Sequence, residues 1–282
     1  METSIHESAR RGFSRASKAY ERGRPTYPAE AVRLLTRMLG LKPGRVVLDL
    51  AAGTGKLTAL LAENGAEVVA VEPVAEMRVA LERAVPGVSA LAGTAESIPL
   101  RDASTDAVAV GQGFHWFRGD EALAEIHRVL RPDGRLGLVW NAREESVPWV
   151  AGLTEIMEPF RGDTPAYRTG AWREAFERSS LFTPLEHAAV RHVHLLDHEA
   201  VVDRVASVSF VAALPEEERA VVLARVRDLL ASDPETRGRT ELELPYRTDV
   251  YWCSRRRTTA SPQALPLAKS SSGSTSPTQP RK

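Results

Sequence analysis

The residues Asp49, Gly53, Gly55 and Glu72 have the types and the spacing that are typical of a nucleoside-binding site. Gly53 and Gly55 follow a short apolar run that contains Asp49, and a glycine lets the backbone approach a ligand closely. Glu72 stands about 20 residues further on, at the end of a second apolar run, where a carboxylate accepts hydrogen bonds from ribose hydroxyls. The pattern therefore predicts a cofactor that contains a nucleoside.

Three classes of cofactor fit a glycine loop of this kind, and the neighbouring residues separate them. A P-loop requires Ser or Thr directly after its lysine, whereas Lys56 is followed by Leu57. A dinucleotide site prefers glycine or alanine three residues after the second glycine, and this chain has Thr58 there. The residues therefore exclude a P-loop and leave NAD as a weaker alternative to a mononucleoside cofactor.

The segment from Asp49 to Gly55, which reads DLAAGTG and is followed by Glu72 and Pro73, resembles the class I S-adenosylmethionine (SAM)-dependent methyltransferases. The resemblance implies that the first loop holds the methionine part of SAM, so that no pyrophosphate cradle is needed. Met77, about one helical turn after Glu72, suits contact with the adenine face. The candidate cofactor-binding residues in this part of the chain are Asp49, Ala51, Gly53, Thr54, Gly55, Glu72, Pro73 and Met77.

A second part of the resemblance lies in the segment from Gly93 to Leu100, after the third predicted strand. In the resembling family, a Gly-x-Ala-Glu-x-x-Pro motif flanks the adenine. The resemblance implies that the amide of Ala95 meets a ring nitrogen and that Glu96 lies near the exocyclic amine, with Thr94 beside them. For Glu96, a helix-capping acid is the alternative interpretation.

Two glycines, a histidine and three aromatic residues follow the fourth predicted strand, in the stretch from Gly111 to Phe117. A cluster this bulky at the active edge of a sheet indicates a site rather than a plain loop. The stretch resembles the loop that passes between cofactor and substrate in methyltransferases of the trans-aconitate group. The resemblance implies cofactor contacts for Gln112, Gly113 and Phe114 and a substrate contact for Trp116.

His115 belongs to the same stretch, on the edge of the sheet where an acceptor would meet the cofactor. Its neutral ring can take a proton from a hydroxyl or an amine near pH 7. We therefore name it as the candidate catalytic residue, with a packed, hydrogen-bonded histidine as the alternative. Trp149 and Tyr167, which follow the core, are candidate walls of the acceptor site together with Trp116.

The N-terminal arm also takes part in the resemblance. Its residues from Phe13 to Pro28 look like the segment that precedes the SAM domain in the trans-aconitate group, where the arm folds over the cofactor. This implies that Tyr20 and Arg24 reach the methionine carboxylate, since a planar guanidinium binds a carboxylate through two hydrogen bonds. The alternative is an arm that Phe13 and Tyr20 merely anchor to the core.

Four histidines, His187, His192, His194 and His198, raise the question of a metal site. Alternation places His192 and His194 on one face of a strand, yet no carboxylate stands at ligand spacing with them. We therefore expect no metal ion and regard these histidines as solvated or core residues.

Composition limits the classes of partner. The 37 basic and 37 acidic residues leave no net charge that would recruit nucleic acid or an anionic membrane, so we expect a small-molecule partner. The one cysteine, Cys253, excludes an intramolecular disulfide and a cysteine-rich zinc cluster. No apolar run approaches the roughly 20 residues of a membrane span, and the first residues do not read as a signal peptide. We expect a cytoplasmic protein, either a monomer or a homodimer.

The order of apolar segments predicts an α/β fold. We expect a doubly wound, mostly parallel seven-stranded sheet of the Rossmann-like, class I methyltransferase type, with a helical cap insertion. A Ser-, Thr- and Pro-rich tail cannot bury enough apolar area to become ordered. The expected parts are a lid arm over 1–28, a SAM-binding core over 29–142, a mainly helical cap and acceptor region with one core strand over 143–240, a final sheet strand over 241–257 and a disordered tail over 258–282.

Taken together, the motifs predict methyl transfer from SAM to an oxygen (hydroxyl or carboxylate) or a nitrogen of a small molecule, with S-adenosylhomocysteine as the product. If the acceptor is a carboxylate, as in the trans-aconitate group, no general base is required. Two alternatives remain at this stage. One is a SAM-binding module without catalysis, and the other is an NAD-dependent dehydrogenase, which Thr58 disfavours.

Overall fold

The computed structural model describes residues 25–257. Two of the predicted cofactor contacts, Tyr20 and Arg24, and the predicted tail over 258–282 lie outside the described residues. Within that range, no helix combines the length and the apolar composition of a membrane-spanning segment.

Seven strands form one mixed sheet. The strands are β1 (Val46–Leu50), β2 (Glu67–Val71), β3 (Ala90–Leu91), β4 (Thr105–Gly111), β5 (Leu130–Arg143), β6 (Glu186–Leu196) and β7 (Leu242–Ser254). Their order across the sheet is β3-β2-β1-β4-β5-β7-β6. The first five strands pair in parallel, whereas β7 runs antiparallel to both β5 and β6. The predicted doubly wound, mostly parallel seven-stranded sheet is confirmed.

Helices cover both faces of the sheet and continue into a separate group after β5. The helices are α1 (Ala29–Leu39), α2 (Lys56–Ala62), α3 (Ala75–Ala84), α4 (Gly119–Val129), α5 (Pro148–Met157), α6 (Glu174–Arg178), α7 (His198–Ala206), α8 (Ser209–Ala213) and α9 (Glu216–Ser232). Short 3₁₀ turns lie at Phe114–Trp116, Glu158–Phe160, Tyr167–Thr169 and Ala171–Arg173.

The central strands are buried on both faces, as expected for parallel strands between two helical layers. Leu48 and Val108 point into the cluster on the α4 side of the sheet. Val47 and Ala107, one residue earlier in each strand, point into the cluster that includes α1 and α2. Because successive residues alternate between the faces, the two apolar layers hold the carboxyl ends of β1 and β4 side by side.

The helices α5, α7, α8 and α9 share an apolar core of their own. Leu153, Val202 and Val226 are buried in it, and the first part of β7 contributes Leu244 and Tyr246. This helical body therefore joins the sheet through the strand that lies between β5 and β6.

Two segments of the chain are irregular. The segment 131–135 is a bulge within the continuous strand β5, because Leu130 pairs with Thr105 while Arg135 pairs with Ala107. The segment from Tyr167 to Ser179 consists of two 3₁₀ turns followed by the short α6. Gly170, with φ of 76° between the two turns, interrupts the helix there, since a left-handed residue cannot continue an α-helix.

Candidate functional site

A cavity of about 1590 Å³ opens at the carboxyl ends of β1, β2 and β4. This is the switch point of the sheet, where the strand order reverses between β1 and β4 and where open α/β sheets bind ligands. Small-molecule sites usually have volumes of about 300–1,000 Å³. The cavity is therefore large enough for a cofactor and a second molecule.

Asp49 lies at the floor of this cavity with one unpaired oxygen. It is 1% exposed, and its Oδ2 accepts a hydrogen bond from Thr58 Oγ1 at 2.6 Å. Its Oδ1 is buried and has no hydrogen-bond partner in the described structure. Burial raises the pKa of Asp49 to about 7, and the charge of Glu72 acts in the same direction, against the hydrogen bond from Thr58. A ligand that donates a hydrogen bond or carries a positive charge would satisfy Oδ1.

The loop after β1 turns through left-handed residues. Ala51 has φ of 57° and Gly53 has φ of 58°, and both line the cavity, as does Thr54. Gly55, the other predicted cofactor contact in this loop, does not line the cavity. A Cβ on Gly55 would lie 2.8 Å from Leu81 Cγ, so this glycine allows α3 to pack against the loop.

Glu72 joins the loops that follow β1 and β2. Its Oε2 accepts a hydrogen bond from the Gly53 amide at 3.0 Å, and its Oε1 accepts one from the Val74 amide at 2.9 Å. Burial raises its pKa, and the two amide hydrogen bonds oppose the shift. Each carboxylate oxygen retains acceptor capacity, so Glu72 can also receive hydroxyl donors. Pro73 and Met77 line the cavity beside it.

The loop after β3 adds Thr94, Ala95 and Glu96 to the same wall. Thr94 Oγ1 is buried without a hydrogen-bond partner among the described residues. Glu96 Oε1 accepts a hydrogen bond from the Arg118 amide at 2.9 Å, and Arg118 immediately precedes α4. Glu96 therefore holds the start of this helix while it also faces the cavity, and its contact with the adenine stays a prediction.

The aromatic loop after β4 presents only part of its predicted set to the cavity. Gln112, Gly113, His115 and Trp116 line it. Phe114 is 1% exposed and packs against Phe117, Trp172 and Phe176, with ring centroids 5.3, 6.3 and 4.9 Å away. The ring of Phe114 therefore does not line the cavity, because the 3₁₀ turn directs it into the apolar core, where it anchors the loop.

His115 receives a hydrogen bond on one ring nitrogen. Trp140 Nε1 donates to His115 Nδ1 at 3.3 Å. An indole N–H can only donate, so Nδ1 is the acceptor and the neutral ring carries its proton on Nε2. In this arrangement His115 presents the N–H group of Nε2 as a hydrogen-bond donor, rather than a ring nitrogen that acts as a general base.

The far side of the cavity contains a polar group around Asp249, in β7. The carboxylate is fully buried and accepts hydrogen bonds from Tyr167 Oη at 2.8 Å and from Arg247 Nε at 3.0 Å. His187 Nε2 lies 2.8 Å from its other oxygen. Burial and hydrogen bonds with Tyr251 and Asp249 raise the pKa of Tyr167 far above its usual range, so the phenol stays neutral.

Comparisons with known proteins agree with this geometry. Residues 48–138 match a family profile described as methyltransferase domain. An uncharacterized methyltransferase of Mycobacterium tuberculosis is 45% identical over 236 residues, which cover 84% of this chain and 92% of that protein. An uncharacterized methyltransferase-like protein of Schizosaccharomyces pombe is 36% identical over 233 residues, covering 82% and 91%. The chain belongs to the methyltransferase family.

A solved structure supports the fold of this methyltransferase. The structure, described as a type II methyltransferase from Anaeromyxobacter dehalogenans, has a TM-score of 0.62 at 24% identity and covers 83% of this chain and 97% of its own. The class I fold is that of SAM-dependent methyltransferases. The names of these relatives specify no acceptor, so the resemblance to the trans-aconitate group stays a prediction.

Among the predicted acceptor-site residues, Trp116 and Tyr167 line the cavity of the methyltransferase. Tyr167 also stacks on Trp140, with ring centroids 4.7 Å apart. Trp149 is 3% exposed and packs in the core of the helical body with Val150 and Leu153. Trp149 therefore does not line the cavity, because its indole at this position of α5 faces the other helices.

Sequence reasoning missed two residues of the site. In the sequence, Thr58 served only as evidence against an NAD site. In the structure, its hydroxyl donates a hydrogen bond to the Asp49 carboxylate. Asp249 was visible as a charged residue inside the apolar run that ends with Val250 and Tyr251, and a buried acid in a strand signals a partner network.

Among the described residues, no group of three or more His, Cys, Asp or Glu side chains is suited to a metal ion.

Proposed function

We propose that this methyltransferase uses SAM and transfers its methyl group to an oxygen or a nitrogen of a small molecule. The observation that carries the proposal is that one cavity joins the loops around Asp49 and Glu72 to the polar group around Asp249. A cofactor region and a separate polar region within one enclosure are what a two-substrate transfer requires.

The residues present fit SAM. Asp49 has a buried, unpaired oxygen that would accept a hydrogen bond from the methionine amino group. Glu72 would accept hydrogen bonds from the ribose hydroxyls, and the loop from Thr94 to Glu96 would flank the adenine. When bound, SAM supplies a methyl group activated by the sulfonium charge.

The chain itself contributes binding, orientation and exclusion of water. The apolar rings of Trp116 and Tyr167 line the path between the two regions, and the Asp249 network orients the Tyr167 hydroxyl. Because His115 Nδ1 already accepts the indole N–H of Trp140, His115 suits donation of a hydrogen bond to the acceptor. An acceptor that is already anionic, such as a carboxylate, needs no base from the enzyme.

The structure argues against both alternatives to this proposal. The cavity continues beyond the loops assigned to the cofactor, which a module that only binds SAM does not require. The Thr58 hydroxyl, at the position where a dinucleotide site has glycine or alanine, is engaged by Asp49. Membership of the methyltransferase family also speaks against a dehydrogenase.

Titration calorimetry with SAM, S-adenosylhomocysteine and NAD tests the proposed cofactor. We expect micromolar binding of the first two and no binding of NAD. Incubation with methyl-labelled SAM and a panel of hydroxy acids, carboxylic acids and amines, followed by mass spectrometry, tests the transfer. Binding of NAD without binding of SAM would contradict the proposal, and SAM binding without any labelled product from the panel would favour a non-catalytic module.

A further inference from the structure

Two arginines at the helical side of the cavity have no anionic hydrogen-bond or ion-pair partner among residues 25–257. Arg143, the last residue of β5, and Arg204, in α7, both line the cavity. Arg143 Nη2 donates to Thr154 Oγ1 at 3.2 Å, whereas its Nη1 is buried and has no hydrogen-bond partner in the described part of the chain. Arg204 donates to the hydroxyls of Tyr246 at 3.0 Å and Ser207 at 3.5 Å. Both arginines thus contact neutral groups.

The charges around Arg143 do not cancel. Burial and the neighbouring charge of Arg204 lower the pKa of Arg143 to about 10, with a smaller contribution of the same sign from Arg168 and opposing ones from Tyr246 and Glu145. Arg143 is therefore still a cation at pH 7, next to a second cation. The Arg143 side chain is half-buried and forms no ion pair among the described residues. A charge held away from water without such a partner is unfavourable, so the pair is poised to receive an anion.

The acidic residues nearby have other partners. Glu145 is exposed and accepts a hydrogen bond from Thr154 Oγ1 at 2.7 Å. Glu158 is shared between Arg161, at 2.9 Å, and Arg168. Glu144, which follows Arg143 and also lines the cavity, has its Oε2 3.7 Å from Arg191 Nε. Among the described residues, the carboxylates of this region therefore form their ion pairs and hydrogen bonds with groups other than Arg143 and Arg204.

The position of Arg143 places the pair on the acceptor side of the cavity. β5 lies two strands from β1, which carries Asp49, and two strand spacings amount to about 10 Å. The Gln112 amide, in the loop after β4, bonds to Val139 O. Arg143 is further along β5 by four residues, or about 13 Å. The pair thus lies beyond the point where cofactor and acceptor would meet.

We infer that the acceptor carries an anionic group, a carboxylate or a phosphate, which Arg143 and Arg204 bind at a distance from the methylated atom. Guanidinium groups bind such anions through paired, charge-assisted hydrogen bonds. This inference rests on the proposed function. It identifies an anionic group of the acceptor by which the enzyme would select it. It does not specify which atom of the acceptor is methylated.

The test uses inorganic phosphate and succinate as probes, titrated at constant ionic strength into the protein loaded with S-adenosylhomocysteine. We expect saturable binding to the wild-type protein and about tenfold weaker binding to the Arg143→Gln and Arg204→Gln variants, because each variant removes a charge-assisted contact. Arg227→Gln is the charge-matched control, since Arg227 pairs with Glu199 at 3.1 Å on an exposed helix surface. Its affinity for the probes should equal that of the wild type.

Three results would overturn the inference: no saturable binding of either probe, equal binding by wild type and both cavity variants, or an equal loss in Arg227→Gln. A tenfold loss of S-adenosylhomocysteine affinity in Arg143→Gln would also overturn it, because the anion would then be the methionine carboxylate. If Arg143→Gln does not fold, Arg143→Lys, which retains the charge but not the fork, replaces it. Failure of SAM and S-adenosylhomocysteine to bind would contradict the proposed function. In that case, titration of phosphate and succinate into the unloaded protein would still test whether Arg143 and Arg204 bind an anion.

Discussion

Thr58 Oγ1 donates a hydrogen bond of 2.6 Å to Asp49 Oδ2, which leaves Oδ1 of the same carboxylate buried and unpaired. The hydrogen bond holds the carboxylate at the cavity floor, and burial raises its pKa to about 7. The site is therefore organised around an acid that is partly protonated near pH 7 and whose ionisation a positively charged ligand beside it would favour.

The first prediction concerns the pH dependence of stability. Because the folded-state pKa of Asp49 is raised above its usual value of 3.8, the folded state binds more protons between about pH 4 and pH 7. The stabilisation is complete below pH 4 and is lost as the pH rises through 7, with an upper bound of about 4 kcal/mol at roughly 1.4 kcal/mol per pKa unit.

Thermal unfolding of the ligand-free protein from pH 4 to pH 8 measures this effect. The Asp49→Asn variant, which cannot ionise at this position, should have a flatter profile, and it should bind SAM about tenfold more weakly at pH 8. If the two proteins have parallel stability profiles, the raised pKa is wrong.

The second prediction concerns Glu72. The Glu72→Ala change should weaken SAM binding by about 1.5 to 3 kcal/mol, because a charged acceptor for the ribose hydroxyls is lost. It should also lower the stability of the ligand-free protein, since Glu72 holds the amides of Gly53 and Val74. Calorimetry and thermal unfolding measure the two effects separately. Glu76→Ala, at an exposed position of α3, is the control, and an unchanged SAM affinity in Glu72→Ala would refute the cofactor assignment.

The third prediction concerns the packing of Gly55 against Leu81 in α3. Gly55→Ala should destabilise the protein by about 2 to 4 kcal/mol, because it adds backbone strain at φ of 87° to a contact of 2.8 Å with Leu81 Cγ. Gly40→Ala is the matched control, with φ of 67° and no atom within 4 Å of the added Cβ. It should cost about 1 kcal/mol. Urea unfolding measures both values, and equal losses would show that the contact with Leu81 is relieved without cost.

The fourth prediction concerns His115. If His115 serves as a donor held by Trp140, His115→Asn should keep kcat within about tenfold, because the amide can accept from the indole and donate with its NH₂ group. A general base would lose about 10²- to 10⁴-fold in the same variant. The test measures kcat of the wild type and of His115→Asn as a function of pH, with an identified acceptor. A loss of more than a hundredfold, together with the disappearance of a titration between pH 6 and 7, would restore the general-base role.

The sequence identifies cavity-lining residues best where their position depends on local spacing. Gly53, Glu72 and Thr94 reach the cavity because each follows the end of a strand, and strand ends are recognisable from apolar runs. The direction of a side chain inside a loop or helix depends on neighbours far away in the chain. Phe114 and Trp149 therefore point into cores that no local pattern reveals.

Long-range pairing also explains what was missed. Asp249 acquires its role from Tyr167, which is 82 residues earlier, and from His187, which is 62 residues earlier. These contacts exist only because β7 lies between β5 and β6. The sequence shows that Asp249 lies inside an apolar run, but its partners become evident only from the order of the strands.

The insertion of β7 between β5 and β6 has a consequence for synthesis of the chain. About 100 residues separate the end of β5 at Arg143 from the start of β7 at Leu242, and a ribosome adds roughly 5–20 residues per second. β5 therefore leaves the ribosome about 5 to 20 s before β7 does, and during this interval its edge has no partner strand. An unpaired edge can bind other chains, so nascent chains that stall before Leu242 should depend on chaperones that shield this edge.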